Sequence, residues 1–180
     1  MNHHWRTKEG AISEFLSLPV MRGDLGNPPA FFHLHVCIRK SHAREGGAFI
    51  MGIDVASRRI VFCIPTKIDA TASELVPVII KELCQSIIRL NQDNPGKGRP
   101  YFISTSDYLI YTALCQTISS QDTLLLRMSE SKTMIGKPNE NPIPLTSITD
   151  ALAANIDRDA LGILQGQRQH ELPPRVEETF

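Results

Sequence analysis

Nowhere in the 180 residues is there an apolar run near the roughly 18–20 residues that a spanning helix requires, so the sequence predicts no membrane partner. Charge of one sign is also missing. The 19 basic residues are matched by 19 acidic ones, and the formal net charge is zero. A dedicated nucleic-acid binder carries a basic excess, so strong autonomous DNA binding is not expected. Aromatics make up only 6% of the chain, which leaves little material for a base-stacking surface. The four cysteines, Cys37, Cys63, Cys84 and Cys115, form no CxxC pair and follow no signal-peptide pattern. A disulfide framework and a zinc knuckle are therefore not expected, and a reducing cytoplasm is the natural setting. What is present is ordinary for a globular domain: 42% hydrophobic and 21% charged residues, enough for one core without covalent staples.

The chain reads as one domain with tails: an arm over 1–30, a core over 31–156, and a helical stretch with a polar tail over 157–180. Breakers at Gly23, Gly26, Pro28 and Pro29 leave the arm without an evident fold. Three β-branched or apolar runs follow, at Phe31 to Ile38, Ala48 to Val55 and Arg59 to Ile64. Their connections, a polar loop with Arg44, Glu45, Gly46 and Gly47 and a tight turn at Ser57 and Arg58, are short enough only for antiparallel neighbours. An amphipathic helix from about Thr71 to Leu90 carries the stripes Leu75, Ile79, Leu83, Ile87 and Val76, Ile80, Cys84, Ile88. Thr71 and Glu74 have capping-box spacing, while Pro77 argues for a start nearer to itself. A strand at Pro100 to Ser104, a helix at Tyr108 to Ile118 and a strand at Thr123 to Met128 come next. The Ser-, Gly-, Asn- and Pro-rich stretch from Ser129 to Pro144 reads as a loop, and it leads to a helix at Leu145 to Ile156 and a second short one up to Leu164. The expected fold class is α/β, with a mixed five-stranded sheet flanked by helices: three antiparallel strands, then two parallel additions.

Local sequence sharpens this order. His35-Val36-Cys37-Ile38-Arg39-Lys40, followed by Gly52-Ile53-Asp54-Val55-Ala56-Ser57-Arg58-Arg59-Ile60-Val61, resembles the opening of the integrase core of bacterial insertion-sequence transposases. Thr105-Ser106-Asp107 with Tyr111-Thr112 resembles that family's fourth-strand motif, although its glycine is absent. Gly136-Lys137-Pro138-Asn139-Glu140-Asn141-Pro142 is similar to the loop before its last catalytic helix. The resemblance covers about residues 33–155 and implies a ribonuclease H-like fold and a role in DNA transposition or integration. In active relatives, Mg²⁺ or Mn²⁺ held by two Asp and one Glu drives phosphoryl transfer.

Carried across residue by residue, those three acidic positions fall on Cys37, Ser106 and Leu145. A thiol, a hydroxyl and an alkyl group offer no carboxylate oxygen, so the resemblance implies a truncated, catalytically defective core with no cofactor expected. The alternative is a non-catalytic ribonuclease H-like module that pairs with an intact transposase or with itself. A third possibility relocates the acids to Asp54, Asp107 and Glu140, the last two 33 positions apart. Arg39, Lys40, Arg44, Arg58, Arg59, Lys132 and Lys137 are the cations that could meet a phosphate backbone, and weak DNA contact is the expectation. In intact relatives, sequence-specific binding lies in an upstream helix-turn-helix region, and none is read here. His33, His35 and Cys37 alternate along one strand and share a face, yet no fourth ligand is visible, so packed core residues are expected rather than a metal site. Cys84 and Cys115 are assigned to the core, and no Ser-His-acid or Cys-His arrangement is evident.

Overall fold

The branched and aromatic runs form strands whose alternating side chains serve two different helical layers. A computed structural model describes residues 8–24, 28–119, 122–137 and 139–170. Its elements are α1 (Lys8–Ser17), β1 (His33–Lys40), β2 (Gly47–Asp54), β3 (Arg59–Lys67), α2 (Ala72–Asp93), β4 (Phe102–Thr105), α3 (Tyr108–Thr117), β5 (Leu124–Arg127), β6 (Met134–Ile135), β7 (Ile143–Pro144) and α4 (Leu145–His170). Five strands make one mixed sheet in the order β3-β2-β1-β4-β5. The pairs β1–β2 and β2–β3 are antiparallel, while β1–β4 and β4–β5 are parallel. The expected α/β class and mixed sheet are thus observed.

Period-2 alternation divides β1 between the faces. Leu34 and Val36 join Ile50, Ile103 and the stripes of α2 in the principal core, which α1 and α3 complete. Cys37 joins Phe49, Met51, Ile53 and Ala153 of α4 on the other side. Strand β2 is buried along its whole length because it has helices on both faces. Each fully buried Ile or Leu contributes roughly 1.5–3 kcal/mol, so the α2 stripes alone are a major source of stability. Close packing between β2 and β3 requires Gly52, where a Cβ would fall 2.1 Å from Cε1 of Phe62, its cross-strand partner.

Several boundaries differ from the sequence reading. Within the stretch read as an arm, 8–17 is a helix whose Ala11 and Phe15 are fully buried in the principal core. Residues 1–7 and the polar tail 171–180, with Pro173 and Pro174, lie outside the described residues. Helix α2, by contrast, starts next to Thr71 as its capping-box spacing indicated, rather than nearer Pro77, because the Glu74 carboxylate accepts from the Thr71 N–H at 2.8 Å. Pro77 is tolerated because the carbonyl it leaves without a helical donor belongs to exposed Ser73. The segment read wholly as loop carries β6 and β7, paired antiparallel. The two short helices expected after Leu145 are one continuous helix to His170. Cys84 is in the core as expected, but Cys115 is exposed. No helix among the described residues is long and apolar enough to cross a membrane.

Candidate functional site

The odd residues His33, His35, Cys37 and Arg39 of β1 share one face of the sheet, where Cys37 packs with Ala153 of α4 and Arg39 reaches Thr149. Strand β4 pairs parallel with β1 and sets Ser104 opposite His35. The chain leaving β5 then brings Glu130 over the row, 95 residues from His35 in sequence.

Glu130 is 6% exposed and is the hub of the site. Its Oε1 lies 3.0 Å from Nε2 of His35 and accepts from the Ser106 hydroxyl at 2.7 Å. Its Oε2 is held by the Arg39 guanidinium and lies 3.3 Å from Oγ1 of Thr149 on α4. Arg39 also donates to Thr149 and, through Nε at 2.9 Å, to Asp150. Behind this hub, Ser104 Oγ sits 2.9 Å from His35 Nδ1 and 2.7 Å from His33 Nε2.

Burial, reinforced by the neighbouring Arg39 cation, lowers the His35 imidazole to about 4. Burial and His35 lower His33 to about 4 as well. Both rings are therefore neutral near pH 7, and one proton arrangement satisfies every contact. His33 Nε2–H donates to Ser104, the Ser104 hydroxyl donates to His35 Nδ1, and His35 Nε2–H donates to Glu130. This is a Ser-His-acid relay that sequence reading did not anticipate. Ser104 is 0% exposed, so its hydroxyl has no access to a substrate, and the relay orders the interior rather than presenting a nucleophile. Burial pushes the Cys37 thiol up to about 12, against the opposing pull of Arg39, so it is a protonated thiol at neutral pH.

Two of the three positions implied by the resemblance meet here. Cys37 lies against the hub, and Ser106 donates to it. Leu145 does not: it is fully buried in a separate cluster with Val55 and Ile148. The α4 side chains that reach the site are Thr149, one helical turn later, and its neighbour Asp150. Of the fallback acids, Asp54 is buried and accepts from the backbone N–H groups of Phe31 at 2.7 Å and Ser57 at 3.0 Å, fixing the β2–β3 turn. Its cross-strand partner is Leu34, on the α2 side of the sheet, away from Cys37. Asp107 caps α3 by accepting from Ile110 N–H at 2.9 Å. Glu140 is exposed and pairs with Arg58 at 2.6 Å and with Lys137. These three acids each serve local partners and form no cluster.

The cations divide in the same way. Arg39 is turned inward and committed to Glu130, Thr149 and Asp150, and Arg58 to Glu140. Lys40, Arg44, Arg59, Lys132 and Lys137 are exposed. Arg39, Ser106, Arg127 and Glu130 border an open cavity of about 640 Å³ at the carboxyl ends of the parallel strands. The Mg²⁺ or Mn²⁺ pair implied by the resemblance requires several carboxylate oxygens, and this position offers Glu130, whose second oxygen is taken by the Arg39 guanidinium, and the exposed Asp150, engaged by the same guanidinium. The residues do not fit that metal pair.

Sequence reasoning missed Glu130, His35 as its partner, Ser104 and Thr149. Thr149 had a usable signal, because it lies at i+4 from Leu145 and so on the same helix face. Glu130 had none, since it sits in a polar stretch with no periodicity. Comparison with protein-family models, with curated proteins and with solved structures found no match to the chain.

Proposed function

We propose that this chain is a homologue of the transposase or integrase catalytic core that has lost strand-transfer chemistry, with an internal ion pair standing where active relatives hold divalent cations. The observation carrying this reading is the Arg39–Glu130 pair, which lies between Cys37 and Ser106 at the carboxyl ends of β1 and β4. The strand order β3-β2-β1-β4-β5, with its antiparallel half and its parallel half, supports the ribonuclease H-like assignment. One guanidinium neutralises one carboxylate but supplies neither an activated water nor a Lewis acid for a leaving oxygen. In this reading the exposed Lys40, Arg59, Lys132 and Lys137 make weak, sequence-independent contact with phosphates.

The test is incubation of the purified chain with end-labelled duplex DNA and Mg²⁺ or Mn²⁺, resolved on denaturing gels. No nicked or joined product is expected. Metal-dependent nicking that disappears in Asp107→Ala, together with a Mn²⁺-dependent thermal shift lost in the same variant, would overturn the reading.

A further inference from the structure

Among the described residues, one group of three His, Cys, Asp or Glu side chains has its donor atoms close enough to share an ion: His35, Cys37 and Glu130, all within 4.8 Å of one another. All three are buried. Sequence reading set aside a site of His33, His35 and Cys37 on β1 because no fourth ligand was visible; the structure brings Glu130 to His35 and Cys37, while His33 contacts Ser104 instead. We propose that His35 Nε2, Cys37 Sγ and a Glu130 carboxylate oxygen form a site for a borderline-soft divalent cation of the Zn²⁺ type. The proposal goes beyond the integrase-type reading and does not depend on it.

The donor set selects the metal. Nitrogen, sulfur and a single carboxylate oxygen suit Zn²⁺ or Co²⁺, whereas Mg²⁺ and Ca²⁺ demand several oxygens. Metal–ligand lengths of about 2.0–2.3 Å place tetrahedral donors roughly 3.3–3.8 Å apart. The His35 nitrogen and the Glu130 oxygen stand 3.0 Å apart and all three donors lie within 4.8 Å of one another, so seating an ion needs a small opening of that pair and a side-chain closure toward the ion elsewhere in the trio.

The surroundings supply what a metal site needs beyond its ligands. Ser104 Oγ contacts the other ring nitrogen of His35, the role that outer-shell partners play at metal-bound imidazoles. Arg39 and Thr149 hold Oε2 of Glu130 and so fix the carboxylate plane, while Oε1, now contacted by His35 and the Ser106 hydroxyl, is the oxygen the ion would take. Glu130 also borders the open cavity, which provides an entry path and a place for a coordinated water.

Charge and protons balance. The ion brings two positive charges, and the Cys37 thiolate and Glu130 cancel them. Arg39 is offset by Asp150, its partner at 2.9 Å. Binding expels the Cys37 thiol proton to solvent, so one proton is released per ion. Nε2 of His35 must give up its hydrogen, and the relay accommodates this by reversing direction. His35 Nδ1–H then donates to Ser104, whose hydroxyl donates to His33 Nε2. The imidazoles stay neutral, each having moved its one hydrogen to the other nitrogen.

The experiment is a Co²⁺ and Zn²⁺ titration of the full, untagged, chelator-treated chain carrying Cys63→Ser and Cys115→Ser, which removes the two exposed thiols. The expected result is saturation at one Co²⁺ per chain, with a thiolate-to-Co²⁺ charge-transfer band that Zn²⁺ abolishes and excess Mg²⁺ does not. Cys37→Ser in that background should remove the band and weaken Zn²⁺ binding at least about 100-fold, and Ser104→Ala should weaken it about 10–100-fold through loss of imidazole orientation. Circular dichroism verifies that each variant is folded, and the conservative Cys37→Ser keeps the test decisive if Ser104→Ala is not. Absence of a saturable thiolate band, or a band that persists in Cys37→Ser, would overturn the proposal. Neither outcome bears on nuclease activity, so it stands or falls separately from the proposed function.

Discussion

Replacing Glu130 with leucine leaves the Arg39 guanidinium facing an alkyl group beneath α4, with only the exposed Asp150 and the Thr149 hydroxyl for company. Replacing Arg39 with methionine strands a carboxylate that is 6% exposed, although His35, Ser106 and Thr149 still contact it. Breaking a buried pair from one side costs about 3–5 kcal/mol. Arg39 is 17% exposed, which puts each single variant near the low end, about 3 kcal/mol. The double variant removes both charges together and fills the space with apolar atoms, so it should cost about 2–3 kcal/mol less than the sum of the singles. Urea denaturation followed by circular dichroism, in chelator and at neutral pH, measures all four corners of the cycle. With a urea slope of about 2 kcal/mol/M, each single variant moves the midpoint down by about 1.5 M. Additive singles, agreeing within about 0.5 kcal/mol, would refute the claim that the two side chains form one buried unit.

Phe15→Ala should destabilise the chain by about 3–5 kcal/mol, since Phe15 is fully buried in the principal core, and a loss below about 0.5 kcal/mol in the same urea assay would mean that α1 is not integral to the domain. Asp157 on α4 accepts from Ser41 Oγ at 2.6 Å and from the His42 N–H at 2.7 Å; burial pushes its carboxyl up, but these bonds and one from the Ala43 N–H outweigh that and hold it below its ordinary 3.8. Because the folded value is depressed, its stabilisation is complete above 3.8 and is lost as pH falls through the folded value, so the gap in urea midpoint between the native chain and Asp157→Asn should close in acid, and a gap independent of pH would contradict the assignment.

How far the sequence led depends on whether the causes were local. The strands were legible because β-branched and aromatic residues recur in short runs with turn residues between them, and α2 because its two stripes repeat at helical spacing. Helix α1 was not, since it buries Ala11 and Phe15 at i and i+4 in a segment otherwise bounded by breakers, and only the face it meets on α2 reveals its purpose. The continuity of α4 was not read: the sequence was divided at Ile156, just before the charged residues Asp157, Arg158 and Asp159. Asp157 is polar because it anchors the β1–β2 loop through Ser41 and His42. Cys37 and Ser106, aligned from local motifs, both lie within reach of Glu130, whereas Leu145 packs in a separate cluster one turn before Thr149. Glu130 could not be found at all, because its significance comes from partners on β1, after β4 and on α4.

That late-arriving carboxylate changes what the pocket can hold. Without Glu130 the row of His35, Cys37 and Thr149 would be neutral, and Arg39 would keep only the exposed Asp150 as a charged partner. With it, the guanidinium has a buried carboxylate partner as well, and the pair closes the interior of the site. A pair of hard cations would have to displace Arg39 from Oε2 and would then find a thiol, hydroxyls and imidazoles in place of carboxylates. A single softer cation would displace the His35 hydrogen bond to Oε1, compete with the one from Ser106 and expel the Cys37 thiol proton, leaving the ion pair through Oε2 intact. The same geometry that argues against phosphoryl transfer therefore leaves room for a zinc-like ion, because the two demand different oxygens of one glutamate.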